Sequence, residues 1–377
     1  MHLFVIGYPS DIGGANTELW HTVKLWRRFG LGVKLIPTWK ADPAWRRRLD
    51  AIGCRTFEGK PDDLQNVPGL AGSAVVSLCN TRFLAVAARF RTLGCKIVWL
   101  GCMNWLFPEE RIHYRKHGLF DRHVFQSRYQ CDELRPQLAK YGTDEARGHI
   151  IRGAFDVEEF PFRPRAHVPR EPFVIGRLSR AAADKFSPNM WNAYARVPHP
   201  IAVRVMGWHA SVEARLGRPP RWAECLPAGV ETSRAFLASL HCLAQSGGTA
   251  VENWPRVALE AMAAGVPVVV ENRGGWREMI RHDQTGCLCS DDDEMACHIG
   301  RLAHNAAYRR QIIEQARHVL ETDLAHPETW WSRWQELLEG LICTGDCPDF
   351  RGTGDVAMPK CLPAAKMGLS PLCQEEP

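Results

Sequence analysis

The chain has 377 residues, of which 45% are hydrophobic and 24% charged, with a formal net charge of +5. That length exceeds one ordinary core and suits two domains of about 150–200 residues each, and the composition excludes disorder over most of the chain. No stretch approaches the roughly 20 apolar residues of a membrane span, and the opening run Leu3–Ile6 is too short and too poor in flanking charge for a signal peptide, so a cytoplasmic location is expected.

Short apolar runs alternate with amphipathic stretches, the pattern of a parallel α/β sheet. His2–Gly7 reads as a strand, Ser10–Ala15 as a glycine-containing loop, and Asn16–Phe29 as a helix with Leu19, Val23, Trp26 and Phe29 on one face. Further strands are expected at Val33–Pro37, Ala74–Cys79, Lys96–Leu100 and His123–Gln126. Four prolines between Pro161 and Pro172 mark a linker. A second series follows, with strands at Phe173–Gly176, Ile201–Met206, His241–Gln245 and Val266–Val270 and a helix at Val257–Ala264. Helices close the pattern, one from Asp291–Asp293 to about Leu302, then Ala306–Leu320 and Thr329–Leu341. The remaining tail loses periodicity and reads as loosely docked or disordered.

The 14 cysteines are scattered, with no pair of C-x2-C knuckles, and several (Cys79, Cys95, Cys242) lie in apolar runs; reduced structural thiols are expected. Residues 1–165 hold 25 Lys/Arg against 17 Asp/Glu. This excess is either a solvated basic face or a surface for an acceptor or membrane of negative charge. No basic stripe interleaved with aromatics points to nucleic acid.

The segment Glu252-Asn-Trp-Pro-Arg-Val-Ala-Leu-Glu260, followed by Ala261–Gly265 and a valine strand, has the most chemical content. Pro255 suits the first turn of a helix, which puts Glu252 in the entering loop and Glu260 inside the helix. Such a loop-to-helix entry offers free N–H groups to an anion, and two carboxylates beside it can accept hydrogen bonds from sugar hydroxyls. Gly176-Arg177-Leu178-Ser179 with Lys185 puts two cations at a strand end, where they would favour a departing diphosphate. Arg180 and Asp184 in the gap leave open which cation acts. Gly274-Gly275-Trp276-Arg277-Glu278 permits close backbone approach to a ligand, with Glu278 either in the site or anchoring a helix. Gly13-Gly14-Ala15 lies between first strand and first helix without being the G-x-G-x-x-G fingerprint. Asp291-Asp292-Asp293 reads as a helix start rather than a metal motif, Asp11 as either a cap or a catalytic group, and His113 and His117 as surface or core residues.

Glu252 and Glu260 resemble the E-x7-E motif of retaining glycosyltransferases of the family-4 type (glycosyl transferases group 1). The resemblance spans about residues 1–341, is strongest from 172 to 290, and extends to Phe125-Gln-Ser127-Arg-Tyr and Gly153-Ala-Phe-Asp156. It implies a GT-B fold of two Rossmann-like domains facing across a cleft. Residues 1–165 would bind acceptor and residues 166–326 the nucleotide sugar. Residues 327–341 would form a crossing helix and residues 342–377 a tail. Glu252 would contact the donor sugar, Glu260 the ribose, and Arg177 and Lys185 the diphosphate. Gly13, Gly14, Asn253, Trp254, Pro255, Gly274 and Gly275 would line the donor site. The implied reaction transfers a sugar from a nucleoside-diphosphate sugar, UDP or GDP being favoured, to a hydroxyl acceptor, glycan or lipid-linked. It proceeds with retention, without metal or cofactor, and allows peripheral association with the inner membrane surface. Leu100-Gly-Cys-Met-Asn104-Trp105 lacks the histidine many relatives carry there; Asn104 can offer a similar hydrogen bond. A catalytically silent sugar-binding protein and a sugar-nucleotide epimerase remain the rival readings.

Overall fold

The structure is a computed structural model and describes residues 2–10, 13–58, 61–142, 147–168 and 170–342. Asp11 and the tail from residue 343 onward lie outside the described residues. The first sheet contains β1 (His2–Ile6), β2 (Gly32–Ile36), β3 (Arg55–Thr56), β4 (Ala74–Leu78), β5 (Lys96–Leu100), β6 (Arg122–Phe125) and β7 (Gly148–Ile150), ordered β3-β2-β1-β4-β5-β6-β7. The second contains β8 (Phe173–Leu178), β9 (Ile201–Met206), β10 (Ala223–Leu226), β11 (Cys242–Gln245), β12 (Val268–Glu271) and β13 (Cys287–Cys289), ordered β10-β9-β8-β11-β12-β13. All pairings are parallel.

Both faces of each sheet are covered, which is why the central strands read as unbroken apolar runs. All five residues of β4 are buried, as are Val268, Val269 and Val270 of β12. The strands that periodicity does not reveal are β3, β7, β10 and β13. They have two to four residues and lie at or near sheet edges, too short and too mixed in polarity to carry a pattern.

In each sheet the order reverses between two strands, β1 and β4 in the first and β8 and β11 in the second. Ligands of open α/β sheets sit beyond the carboxyl ends of strands at such a reversal. The Gly13–Gly14 loop follows β1, and Arg177 lies near the end of β8.

The proline-rich linker docks on the second domain: Arg163 N–H donates to Ala264 O (3.1 Å), and Phe162 and Pro164 pack beside Gly265. Helix Pro327–Ile342 returns to the first sheet's layer, where Trp330, Trp334, Leu337, Leu338 and Leu341 join the core around helix Gly14–Arg28. Trp334 meets Trp26 edge-on at 4.9 Å. At about 1.5–3 kcal/mol per large buried side chain, this contact holds helix Pro327–Ile342 to the first domain. Among the described residues, no helix is long and apolar enough to cross a membrane.

Candidate functional site

The second sheet's reversal point is organised by Arg177. Its guanidinium is buried, donates through Nη1 to Ser246 O (3.1 Å) and through Nη2 to Lys185 O, and lies 4.4 Å from the Phe186 ring centre. Burial pulls its pKa down, while Tyr194, Glu252 and Glu271 push it up, and an arginine stays charged in such a setting. Its Nε has no hydrogen-bond partner among the described residues. Lys185 closes a short 3-10 turn, Ala183–Lys185, and its Nζ lies 2.8 Å from Glu252 Oε1. Arg177 therefore fixes the backbone of the residue whose side chain holds Glu252. Asp184 contributes through its carbonyl, which accepts from Ala250 N–H (3.0 Å) and braces the loop leading to Glu252.

Pro255 is the N-cap of helix Arg256–Ala264, one position before the expected first turn, and Gly265 ends the helix in the left-handed region (φ 79°). Glu252 O accepts from Gly275 N–H (2.8 Å). Gly274 and Gly275 do permit a close approach, but the partner is this loop: a Cβ on Gly275 would stand 1.5 Å from Asn253 O, and one on Gly274 2.6 Å from Glu252 O. Asn253 reaches into the first domain, accepting from Ser127 Oγ (2.5 Å) and donating to Gln126 Oε1 (3.1 Å). Trp254 is buried in the second domain's core with Phe155 and Phe160. Glu260 is partly buried; burial raises its pKa, while Arg256 and the Ser233 side chain lower it.

Three more contacts join the domains. Glu278 accepts from Arg128 N–H (2.9 Å) and Tyr129 N–H (2.6 Å), so it caps the first turn of helix Arg128–Ala139 across the domain boundary. Asn104 Nδ2 lies 3.3 Å from Tyr129 Oη and 3.5 Å from Val251 O. Trp222–Arg234 holds β10 and the start of helix Ser233–Ala238, with Trp222 edge-on to Trp191 at 5.7 Å.

On the first domain, Gly13 is the N-cap of helix Gly14–Arg28 with φ 92°, which a side chain would strain. One turn in, Glu18 is buried and accepts from Gln126 Nε2 through both oxygens (2.6 and 2.5 Å). With Asn253 this forms a chain of polar groups across the domain boundary. Burial pushes the Glu18 carboxyl up to about 7, against Arg256 and Gln126. Because that lies above the unfolded value, the associated stability is fully present below about pH 4.5 and is lost as pH rises through about 7. Glu18→Gln should remove this dependence: its stability relative to wild type should rise by about 3 kcal/mol between about pH 4.5 and pH 8 in urea unfolding. A difference constant across that range would show the carboxyl to be ionised throughout.

Glu18 and Glu271 escaped the sequence reading, and Gln126 and Arg256 were read only as parts of their segments. Their signal is a polar or charged residue beside apolar ones, which is common on solvated faces and separable from them only by burial. Other residues are structural. His113 is buried and stacks on Phe120 at 4.6 Å, with its pKa pulled down to about 4 by burial. Asp291 caps helix Asp292–His304, accepting from Asp293 N–H (2.9 Å) and Glu294 N–H (2.8 Å). Asp283, Cys287 and His298 come within 4.8 Å of one another, but Asp283 already accepts from Tyr308 Oη (2.6 Å) and pairs with Arg301 (3.0 Å).

Two cations, a carboxylate paired with one of them, and two helix N-termini thus meet at the reversal points of two sheets. Such a set can hold a diphosphate and a hydroxyl-rich group together. Residues 229–319 match the family described as Glycosyl transferases group 1. The chain is 27% identical over 198 residues to the glycogen synthase of Mycobacterium tuberculosis (strain ATCC 25618 / H37Rv), covering 48% of this chain and 46% of that protein. It is 31% identical over 209 residues to the exopolysaccharide phosphotransferase SCO2592 of Streptomyces coelicolor, covering 50% of this chain and 20% of that protein. The chain thus spans less than half the length of these curated relatives. The crystal structure of Anabaena Alr3699/HepE in complex with UDP-glucose superposes with a TM-score of 0.69 at 17% identity, covering 90% of this chain and 100% of that one. At that identity the likeness shows the fold, the GT-B arrangement of two Rossmann-like domains.

Proposed function

We propose that the chain is a retaining glycosyltransferase that moves a sugar from a nucleoside-diphosphate sugar to an acceptor hydroxyl without a metal. The observation that carries this reading is the Lys185–Glu252 pair, 2.8 Å apart beside the buried Arg177. Lys185 and Arg177 stabilise the diphosphate as it leaves, which is the electrostatic task a metal performs elsewhere. Glu252 accepts from hydroxyls of the transferred sugar and Glu260 from the ribose. The Gly13–Gly14 helix end faces the phosphates from the first domain. Asn253, Trp254, Pro255, Gly274 and Gly275 shape the loop that presents Glu252 rather than touching ligand. The leaving diphosphate takes the acceptor proton on the same face, so rate comes from positioning and charge stabilisation. The acceptor is a glycan, lipid-linked or other hydroxyl compound bound by residues 1–165, whose basic excess suits an anionic surface such as the inner leaflet.

A thermal-shift panel of UDP, GDP, ADP and CMP, with and without EDTA, tests the reading. One diphosphate, UDP or GDP, should raise the melting temperature of wild type, EDTA should change nothing, and Glu260→Ala should respond less. No response to any nucleotide would favour a silent sugar-binding protein. A response abolished by EDTA would overturn metal independence.

A further inference from the structure

Arg256 is a buried charge whose hydrogen-bond donors are only partly satisfied. It opens helix Arg256–Ala264 and is only 7% exposed. Nη1 donates to Ala154 O (2.7 Å), but Nε and Nη2 have no partner among the described residues. The acid beside it, Glu18, stands 3.9 Å from Nη1, beyond hydrogen-bond range. An arginine cannot shed its proton, and each buried donor left unmade costs about 1–3 kcal/mol. These donors therefore have no acceptor among the described residues and are open to one brought by a ligand.

Two further observations say which acceptor. Arg256 Cδ lies 3.7 Å from where a Cβ of Gly14 would stand, so the side chain runs past the start of helix Gly14–Arg28. Among the described residues, that 15-residue helix has no side-chain cap and no acid in its first turn, so nothing described there offsets its positive end. Glu260 lies one turn along from Arg256 on the same helix face, and each influences the other's titration. One turn is about 5.4 Å, comparable to the separation of a nucleotide's ribose hydroxyls from its 5′-phosphate.

We propose that Arg256 is a third cation of the donor site, whose Nε–H and Nη2–H bind a phosphate of the nucleoside diphosphate against the end of helix Gly14–Arg28. This rests on the donor-site reading above and extends it to a residue that lies between the two motif glutamates. The guanidinium is covered by the first domain, so the ligand enters when the domains part. Bound phosphate then links an arginine of one domain to a helix end of the other, drawing the cleft closed.

Calorimetric titration of wild type, Arg256→Met, Arg256→Lys and Glu18→Gln with UDP and uridine tests this, or with GDP and guanosine if the panel selects guanine. Arg256→Met should weaken diphosphate binding about 10- to 100-fold and leave nucleoside binding unchanged. Arg256→Lys, which keeps charge but loses the fork, should fall between, and serves if the methionine variant does not fold. Glu18→Gln should bind diphosphate as well as wild type, because Glu18 makes no hydrogen bond to the guanidinium. Wild-type affinity in both Arg256 variants would overturn the proposal, as would a loss in Glu18→Gln equal to that in Arg256→Met, the mark of a purely interdomain ion pair. Wild type that binds no nucleoside diphosphate would overturn the donor-site reading itself.

Discussion

Lys185→Met is expected to lower the rate of sugar transfer about 100- to 1000-fold, the usual cost of removing one group that stabilises charge in a transition state. The substitution keeps the Lys185 carbonyl that accepts from Arg177, so the turn at Ala183–Lys185 should persist. What disappears is the ammonium 2.8 Å from Glu252. Both partners retain some access to water, so melting temperature should change far less than rate. The loss should fall on kcat more than on KM, because the charge on the leaving diphosphate grows as the bond to the sugar breaks. Lys185→Arg should recover part of the rate. Full turnover in Lys185→Met would remove this cation from the mechanism and leave Arg177 and Arg256 as the charge-bearing groups.

Gly275→Ala should inactivate the protein without touching a substrate. Its new methyl group would stand 1.5 Å from Asn253 O and 2.4 Å from Asn253 C, so the backbone at 252–253 must move. Displacing it strains the bond from Gly275 N–H to Glu252 O and draws Asn253 away from Ser127 and Gln126. Overpacking of this kind costs about 1–3 kcal/mol, equivalent to a fall in melting temperature of about 2–4 °C per kcal/mol in domains of this size. Transfer should drop at least as far as in Lys185→Met, since Glu252 and the interdomain contact shift together. Wild-type melting and turnover in Gly275→Ala would mean that these two loops are not packed as described.

Glu278 shows how a motif can be legible while its task is not. The spacing of Gly274, Gly275 and Glu278 is visible in the sequence, but which backbone meets the glycines is not. Gly275 is required by Asn253, and Glu278 caps a helix about 150 residues away in sequence. Asn253 and Trp254 follow the same rule: both belong to the motif, yet one reaches Ser127 and the other enters the core.

The sequence by itself determined the two α/β sheets, because strands covered on both faces must be apolar throughout and amphipathic helices must carry a period near 3.6. It also put Arg177 at a strand end and Glu252 at a helix entry, since strand ends and helix entries are fixed by short-range patterns in proline, glycine and apolar residues. Only the tertiary structure decided that Arg177 grips the Lys185 backbone, that Glu18 is a buried carboxyl, and that Arg256 holds unpaired donors beside the first helix. Burial of a charge depends on what the rest of the chain lays over it, and residues 18 and 256 are brought together across a domain boundary that no local pattern encodes.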